Sequence, residues 1–213
     1  MTRFIFVRHG QSIANLEKIF AGNYDVDLSS LGHKQAQFTA DFVSKNYQVD
    51  AIYSSDLKRA YETAEYIANL LGLEIQKEPG MREINAGKWE GCSFEELAIK
   101  YVDDYEIWLT DIGNARCTEG ESVAELAKRV YVTIKQIADK NPNRTVLITT
   151  HGTPIRALQL HSTGSPLSNM KEIPWVSNAS VTEMVYDNGK LIPINIALDA
   201  HLGELRSVLP ANV

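Results

Sequence analysis

The chain has 213 residues, 44% of them hydrophobic, and a formal net charge of −6 at pH 7. That size suffices for one large core, and the acidic balance argues against nucleic acid or an anionic membrane surface as a general partner. No stretch has the length of a membrane span and no leader pattern opens the chain. Cys92 and Cys117 show neither CxxC spacing nor a disulfide framework, so a cytoplasmic protein with free thiols is expected.

Phe4, Ile5, Phe6 and Val7 form an uninterrupted apolar run, the pattern of a central strand buried on both faces. The run ends in Arg8, His9 and Gly10, where the glycine marks a turn or a close approach of a ligand to the backbone. The turn-like DLSSLG leads into a helix over 31–44 with Leu31, Gln35, Phe38 and Phe42 along one side. DAIYSS (50–55) predicts a short strand, and Asp56 the N-cap of a helix that faces inward through Ala60, Ala64, Ile67 and Leu71 and closes at Gly72. Over 93–109, Phe94, Leu97, Ala98, Tyr101, Val102, Tyr105 and Trp108 share one helical stripe, assigned to packing. Ser122 and Glu125 make a capping box for a long helix that buries Val123, Leu126, Ala127, Val130, Ile134 and Ile137.

RTVLITTHG (144–152) then repeats the opening pattern of apolar run, histidine and glycine. Thr153 is expected to cap the following helix, with Pro154 at its first position. Two runs, 180–186 and 190–197, joined by Asp187, Asn188 and Gly189, predict a hairpin. Alternating strands and helices make the fold class α/β: a three-layer sandwich with a mostly parallel central sheet, helices on both faces, an edge hairpin and a small helical cap. One domain over 1–213 is expected, its cap within about 84–121.

If the two strands that end in histidine are parallel neighbours, His9 and His151 emerge together beside Arg8, at the end where open α/β sheets bind anions. Arg59, in the first turn of its helix, leans toward the same opening because helical side chains tilt to the N-terminus. The helix N-termini after Ser55 and Gly152 add backbone donors. Such a pocket suits a phosphoryl group, two of whose oxygens a guanidinium grips at once. Two arginines and one protonated histidine can hold the three oxygens while the other histidine, neutral, attacks phosphorus. Glu83, in MREINAGKWEG, is the candidate proton donor for the leaving alkoxide and afterwards the base for water. A zinc site from His9, His151 and Glu83 would compete for the same side chains, but the flanking arginines repel a cation, so no metal and no cofactor is expected. His33, His161 and His201 lack glycine neighbours and strand-end positions, and are assigned structural or surface roles.

Six blocks, RHGQSIAN (8–15), DLSSLGHKQA (27–36), YSSDLKRAYETA (53–64), REINAGKWEG (82–91), EGES (119–122) and THG (150–152), occur in an order that resembles the histidine phosphatase superfamily, the phosphoglycerate mutase-like family. The resemblance implies His9 as phosphoryl acceptor, Arg8, Arg59 and His151 as the phosphate pocket, and Glu83 as proton donor. It also implies Asn15 and the backbone near Gly22 as assisting contacts, with Gln11 standing where many members have glutamate. Gly152 is expected to contribute backbone donors to the same pocket.

The activity so implied is hydrolysis of a small phosphorylated metabolite through a phosphohistidine. Phosphoryl transfer between hydroxyls, as in a phosphoglycerate mutase, and silent binding of a phosphorylated ligand are the alternatives. Residues 93–112 hold Glu95, Glu96, Asp103, Asp104, Glu106 and Asp111 against the single Lys100, a cap poorly suited to the second anionic end of a mutase substrate. Hydrolysis is therefore preferred. A homodimer through the final hairpin or an exposed edge strand is a further expectation.

Overall fold

The computed structural model describes residues 1–207; residues 208–213, the end of the expected domain, lie outside the described residues. The opening apolar run is β1 (Thr2–Arg8), fully buried from Phe4 to Val7. Strand side chains alternate, so Phe4 and Phe6 enter one core while Ile5 and Val7 enter the other. Each such side chain contributes about 1.5–3 kcal/mol on burial, which holds β1 and its C-terminal end between two packed layers.

Ser12 caps the short α1 (Ile13–Glu17), and Ser29 caps α2 (Ser30–Asn46). The inward face of α2 is Gly32, Gln35, Ala36, Thr39, Ala40 and Val43; of the expected stripe Gln35 is buried and Phe42 packs at the edge of the core, while Phe38 stands 48% exposed. Close approach is the reason: a Cβ on Gly32 would lie 2.0 Å from the Gln11 carbonyl oxygen, so small residues face the loop after β1.

β2 (Ala51–Ser54) leads to α3 (Lys58–Leu71), which ends as expected at Gly72 with φ +67. Asp56 is not its N-cap. Leu57 holds that position without a side-chain bond, while the Asp56 carboxylate accepts two 2.6 Å hydrogen bonds from Arg82. β3 (Ile75–Lys77), three residues at a sheet edge, is an addition to the sequence reading.

The stripe over 93–109 divides at Tyr101 (φ −131, ψ 45) into α4 (Phe94–Lys100) and α5 (Val102–Thr110), which leaves Ala98 and Val102 exposed. α6 (Val123–Lys140) opens on the predicted capping box of Ser122 and Glu125. After β4 (Thr145–Thr150), α7 (Gly152–Thr163) begins two residues earlier than expected: His151 is the N-cap, and Thr153 and Pro154 take the second and third positions. β5 (Val181–Asp187) and β6 (Lys190–Leu198) form the hairpin, with positive φ at Asn188 and Gly189 as a two-residue primed turn requires.

The sheet order is β3-β2-β4-β1-β5-β6, parallel from β3 to β1 and antiparallel through β5 and β6. α6 and α7 cover one face and α2 and α3 the other, which makes the expected three-layer sandwich, while α4 and α5 join the first core through Leu97, Tyr105 and Trp108. Arg8 pairs with Thr150, so the residues that follow, His9 and His151, leave the sheet side by side. Among the described residues no helix is long and apolar enough to cross a membrane.

Candidate active site

His9 continues directly from β1. Its amide donates to the Thr150 carbonyl, and its own carbonyl accepts from Ala179 and from the Asn178 side chain. Its imidazole Nδ1 lies 2.7 Å from the Gly10 carbonyl oxygen. A carbonyl can only accept, so Nδ1 carries the proton and Nε2 keeps its lone pair. Burial and then the charges of Arg59 and Arg8 push the pKa of this ring well below 6.5.

Gly10 itself does not make room for a ligand. A Cβ there would sit 2.5 Å from the Gly32 carbonyl oxygen, so it is the contact with α2 that requires glycine.

The His151 ring is fully buried, its centroid 5.1 Å from that of His9, and its Nε2 lies 2.8 Å from Ser55 Oγ. The sequence reading gave one histidine of the pair a proton. Burial, then Arg59, His9, Arg8 and Arg129, instead push the His151 pKa well below 6.5, so the unliganded ring is neutral. Ser55 carries no signal of its own in the sequence; its place just after β2, with its amide bonded to Thr149 of β4, is what brings it to His151.

Both histidine values fall below the 6.5 of an unfolded chain. The stability these rings contribute is therefore complete above pH 6.5 and is lost as the pH falls through the window beneath it. Nitrogen-15 spectra of the imidazoles should show both rings neutral from pH 8 to pH 6.5, with the His9 proton on Nδ1. An imidazolium on either ring at pH 6.5 would contradict this geometry.

Arg8 and Arg59 are 4% and 1% exposed. Among the described residues neither forms an ion pair. Arg8 donates to the Val176 carbonyl, and Arg59 to the carbonyls of Gly22 (2.7 Å) and Tyr24 (3.2 Å). Burial draws both guanidinium pKa values down to about 10, against the opposing pull of Glu83. Arg8 Nε and His151 Nδ1 are buried without a hydrogen-bonding partner. The guanidinium Nε can only donate, and a buried donor left in this state beside the cavity fits a missing acceptor, here an anion.

These groups surround a cavity of about 60 Å³ whose polar lining is Arg8, His9, Asn15, Arg59, Glu83 and Thr153, with Gly22 and Gly152 contributing backbone. The Asn15 Oδ1 accepts from the Ser12 amide and from Asn178 Nδ2, which leaves its own NH2 unoccupied. Gly22 adopts φ +52, and a Cβ there would lie 2.5 Å from the Ala86 Cβ. Glu83 accepts from the Ile84 amide at 2.8 Å and from the Thr153 amide, in the first turn of α7, at 3.3 Å.

Two of the expected site residues are not among the lining. His151 stands behind His9, and Gln11 turns toward α2, where its amide donates to Gln35 and its side chain accepts from Ser29. None of the six acidic residues of 93–112 reaches the cavity either; Asp104 accepts from Thr118, and Glu96 pairs with Lys100.

The apolar wall includes Ile19, Phe20, Phe94, Trp108 and Trp175. Trp108 thus serves the site as well as the packing to which its stripe was assigned. Trp175, in a loop with no period, left no sequence signal. Among the described residues no group of three or more histidine, cysteine, aspartate or glutamate side chains is placed to hold a metal ion.

Comparison with known proteins bears on the same site. Residues 4–196 match the family described as histidine phosphatase superfamily (branch 1). Phosphoserine phosphatase 1 of Hydrogenobacter thermophilus is 34% identical over 204 residues, 96% of each chain. Among solved structures, YhfR of Bacillus stearothermophilus is 26% identical and superimposes with a TM-score of 0.90 over 95% of this chain and 100% of its own. A phosphoserine phosphatase of Entamoeba histolytica in complex with phosphoserine is 28% identical, with a TM-score of 0.83 over 95% of this chain and 100% of its own.

Proposed function

The chain belongs to the histidine phosphatase superfamily, branch 1, and is a phosphomonoester hydrolase; we propose that it works through a phosphohistidine on His9. The observation that carries this reading is two buried, unpaired guanidiniums beside a neutral imidazole whose Nε2 lone pair is free. A dianionic phosphoryl group supplies the acceptor that Arg8 and Arg59 lack, and it gains most as negative charge spreads over its three equatorial oxygens.

His9 Nε2 attacks phosphorus in line, the ester P–O bond breaks, and the leaving alkoxide takes a proton from the Glu83 carboxyl group. The Nδ1–H bond to the Gly10 carbonyl steadies the positive ring of the phosphohistidine. Water then attacks the same phosphorus, giving its proton to the Glu83 carboxylate as the P–N bond breaks, and inorganic phosphate leaves. In this reading Ser55 donates to His151 Nε2, which fixes the proton of that neutral ring on Nδ1, its partnerless nitrogen. Asn15 and the Gly152 backbone complete the phosphate cradle.

Small phosphorylated metabolites are the substrates, and phosphoserine, bound by the Entamoeba relative, is the first to try. The enzyme works in the cytoplasm, where Cys92 and Cys117 stay free thiols, and the exposed Ile192, Ile194 and Ile196 of β6 form the edge open to a second copy in a homodimer. The test is release of inorganic phosphate from p-nitrophenyl phosphate and phosphoserine, unchanged by chelator and inhibited by vanadate. Redistribution of phosphate between glycerate isomers without release would replace hydrolysis by mutase transfer, and affinity for phosphate compounds without turnover would leave a silent binder.

A further inference from the structure

The cavity over His9 gathers its polar groups around the phosphoryl position, and its remaining wall is apolar, with Phe20, Phe94, Trp108 and Trp175. A second cavity of about 300 Å³ adjoins it, and Trp108 and Trp175 line both. Beyond those two indoles the second cavity is bounded by apolar side chains, among them Leu109 and Ile112, and by two cations, Arg156 and Lys171, with no acidic residue.

The two cations differ in what they have left to give. Arg156 is 4% exposed, stacks 4.3 Å from the Trp175 ring and donates to the carbonyls of Ile173 and Met170, so it holds in place the loop that carries Trp175 and Lys171. Lys171 is exposed and, among the described residues, has no ion-pair partner. A free ammonium on the lining of a cavity that shares two indoles with the phosphoryl site, in a chain of net charge −6, is a local reversal of sign. Such placement selects among ligands by charge. It also removes the objection drawn from the acidity of residues 93–112, because none of those carboxylates faces either cavity.

We propose that the second cavity receives the leaving group of the substrate and that Lys171 selects phosphomonoesters whose leaving group carries a carboxylate or an equivalent anion. The inference rests on the phosphatase reading of the His9 cavity and adds a substrate class to it.

The probe pair is 3-phosphoglycerate and glycerol 3-phosphate, which differ by a carboxylate in place of a hydroxymethyl group. Their dissociation constants are measured by calorimetry on the His9→Ala protein, and their inhibition constants against p-nitrophenyl phosphate on the protein with His9 in place. Binding of 3-phosphoglycerate should be stronger by about tenfold or more, Lys171→Met should bring the ratio to about one, and Lys171→Arg should keep most of it. A ratio unchanged in Lys171→Met, or no preference with the lysine present, overturns the proposal. A lysine-dependent preference without phosphate release supports this anion site and removes the hydrolase reading. Phosphate release without the preference does the reverse.

Discussion

Replacing His9 with alanine should lower kcat for phosphomonoester hydrolysis by about 10⁴-fold or more, while affinity for inorganic phosphate stays within severalfold of the starting protein. The two expectations separate because the clamp does not depend on the ring: Arg8 is anchored on Val176, and Arg59 on Gly22 and Tyr24. Nor does the local fold depend on it. The backbone of residue 9 is held by Thr150, Ala179 and Asn178, whereas the side chain makes a single hydrogen bond, to the neighbouring carbonyl.

A rapid quench of the unmodified enzyme in turnover should trap one phosphoryl group per active chain, stable to alkali and labile to acid, and the variant should trap none. If the variant keeps its rate within tenfold, His9 is not the nucleophile. His151 is a poor substitute, since its Nε2 is engaged by Ser55 and its ring does not line the cavity.

The same geometry explains why the pocket has no carboxylate partner for its arginines. A guanidinium and an anionic oxygen 4 Å apart at an effective dielectric constant of 20 attract by about 4 kcal/mol. Pairing Arg8 or Arg59 permanently with a carboxylate would use that attraction in the empty protein. Leaving them buried and unpaired, at a cost visible in their lowered pKa values, keeps it for the phosphoryl group. The cost is supportable because β1 and β4, which deliver Arg8, His9 and His151, are packed on both faces.

What could be read in advance follows from how local each signal is. Two apolar runs ending in His-Gly fix β1 and β4 and, once these are parallel neighbours, the pairing of His9 with His151. The capping box at Ser122 and the turn at Asn188 and Gly189 involve only nearby residues, and both formed as expected.

Asp56 shows where local reasoning stops. A carboxylate just ahead of a helix is a good cap, but Arg82, 26 residues on, offers two charge-assisted hydrogen bonds and takes it. α2 turns its small residues inward because the loop after β1 presses on Gly32, and Tyr101 breaks one stripe into two helices. The charged members of the site were legible because their chemistry restricts what they can do. Trp175, Lys171 and Ser55 were not, since their importance comes only from what the fold sets beside them.

Glu83→Gln carries the other large effect, and its size should depend on the leaving group. For an alkyl ester such as phosphoserine, kcat/KM should fall by about 10³-fold, because an alkoxide cannot depart without a proton. For p-nitrophenyl phosphate the phosphorylation step should slow by no more than about tenfold, since the phenolate leaves unaided. Glutamine is close in shape and can keep the stronger of the two backbone bonds, that from the Ile84 amide at 2.8 Å, at the expense of the 3.3 Å contact with Thr153.

Glutamine matches the protonated acid that faces a bound phosphoryl group and lacks the carboxylate that attracts both arginines in the empty protein, so phosphate affinity should not decline. The second half of the cycle then lacks its base. With the aryl ester the variant should therefore release one equivalent of nitrophenol in a burst and turn over slowly afterwards, with the phosphohistidine accumulating. Equal losses for both esters and no burst would reduce Glu83 to an electrostatic neighbour of the arginines and require another acid in the cavity.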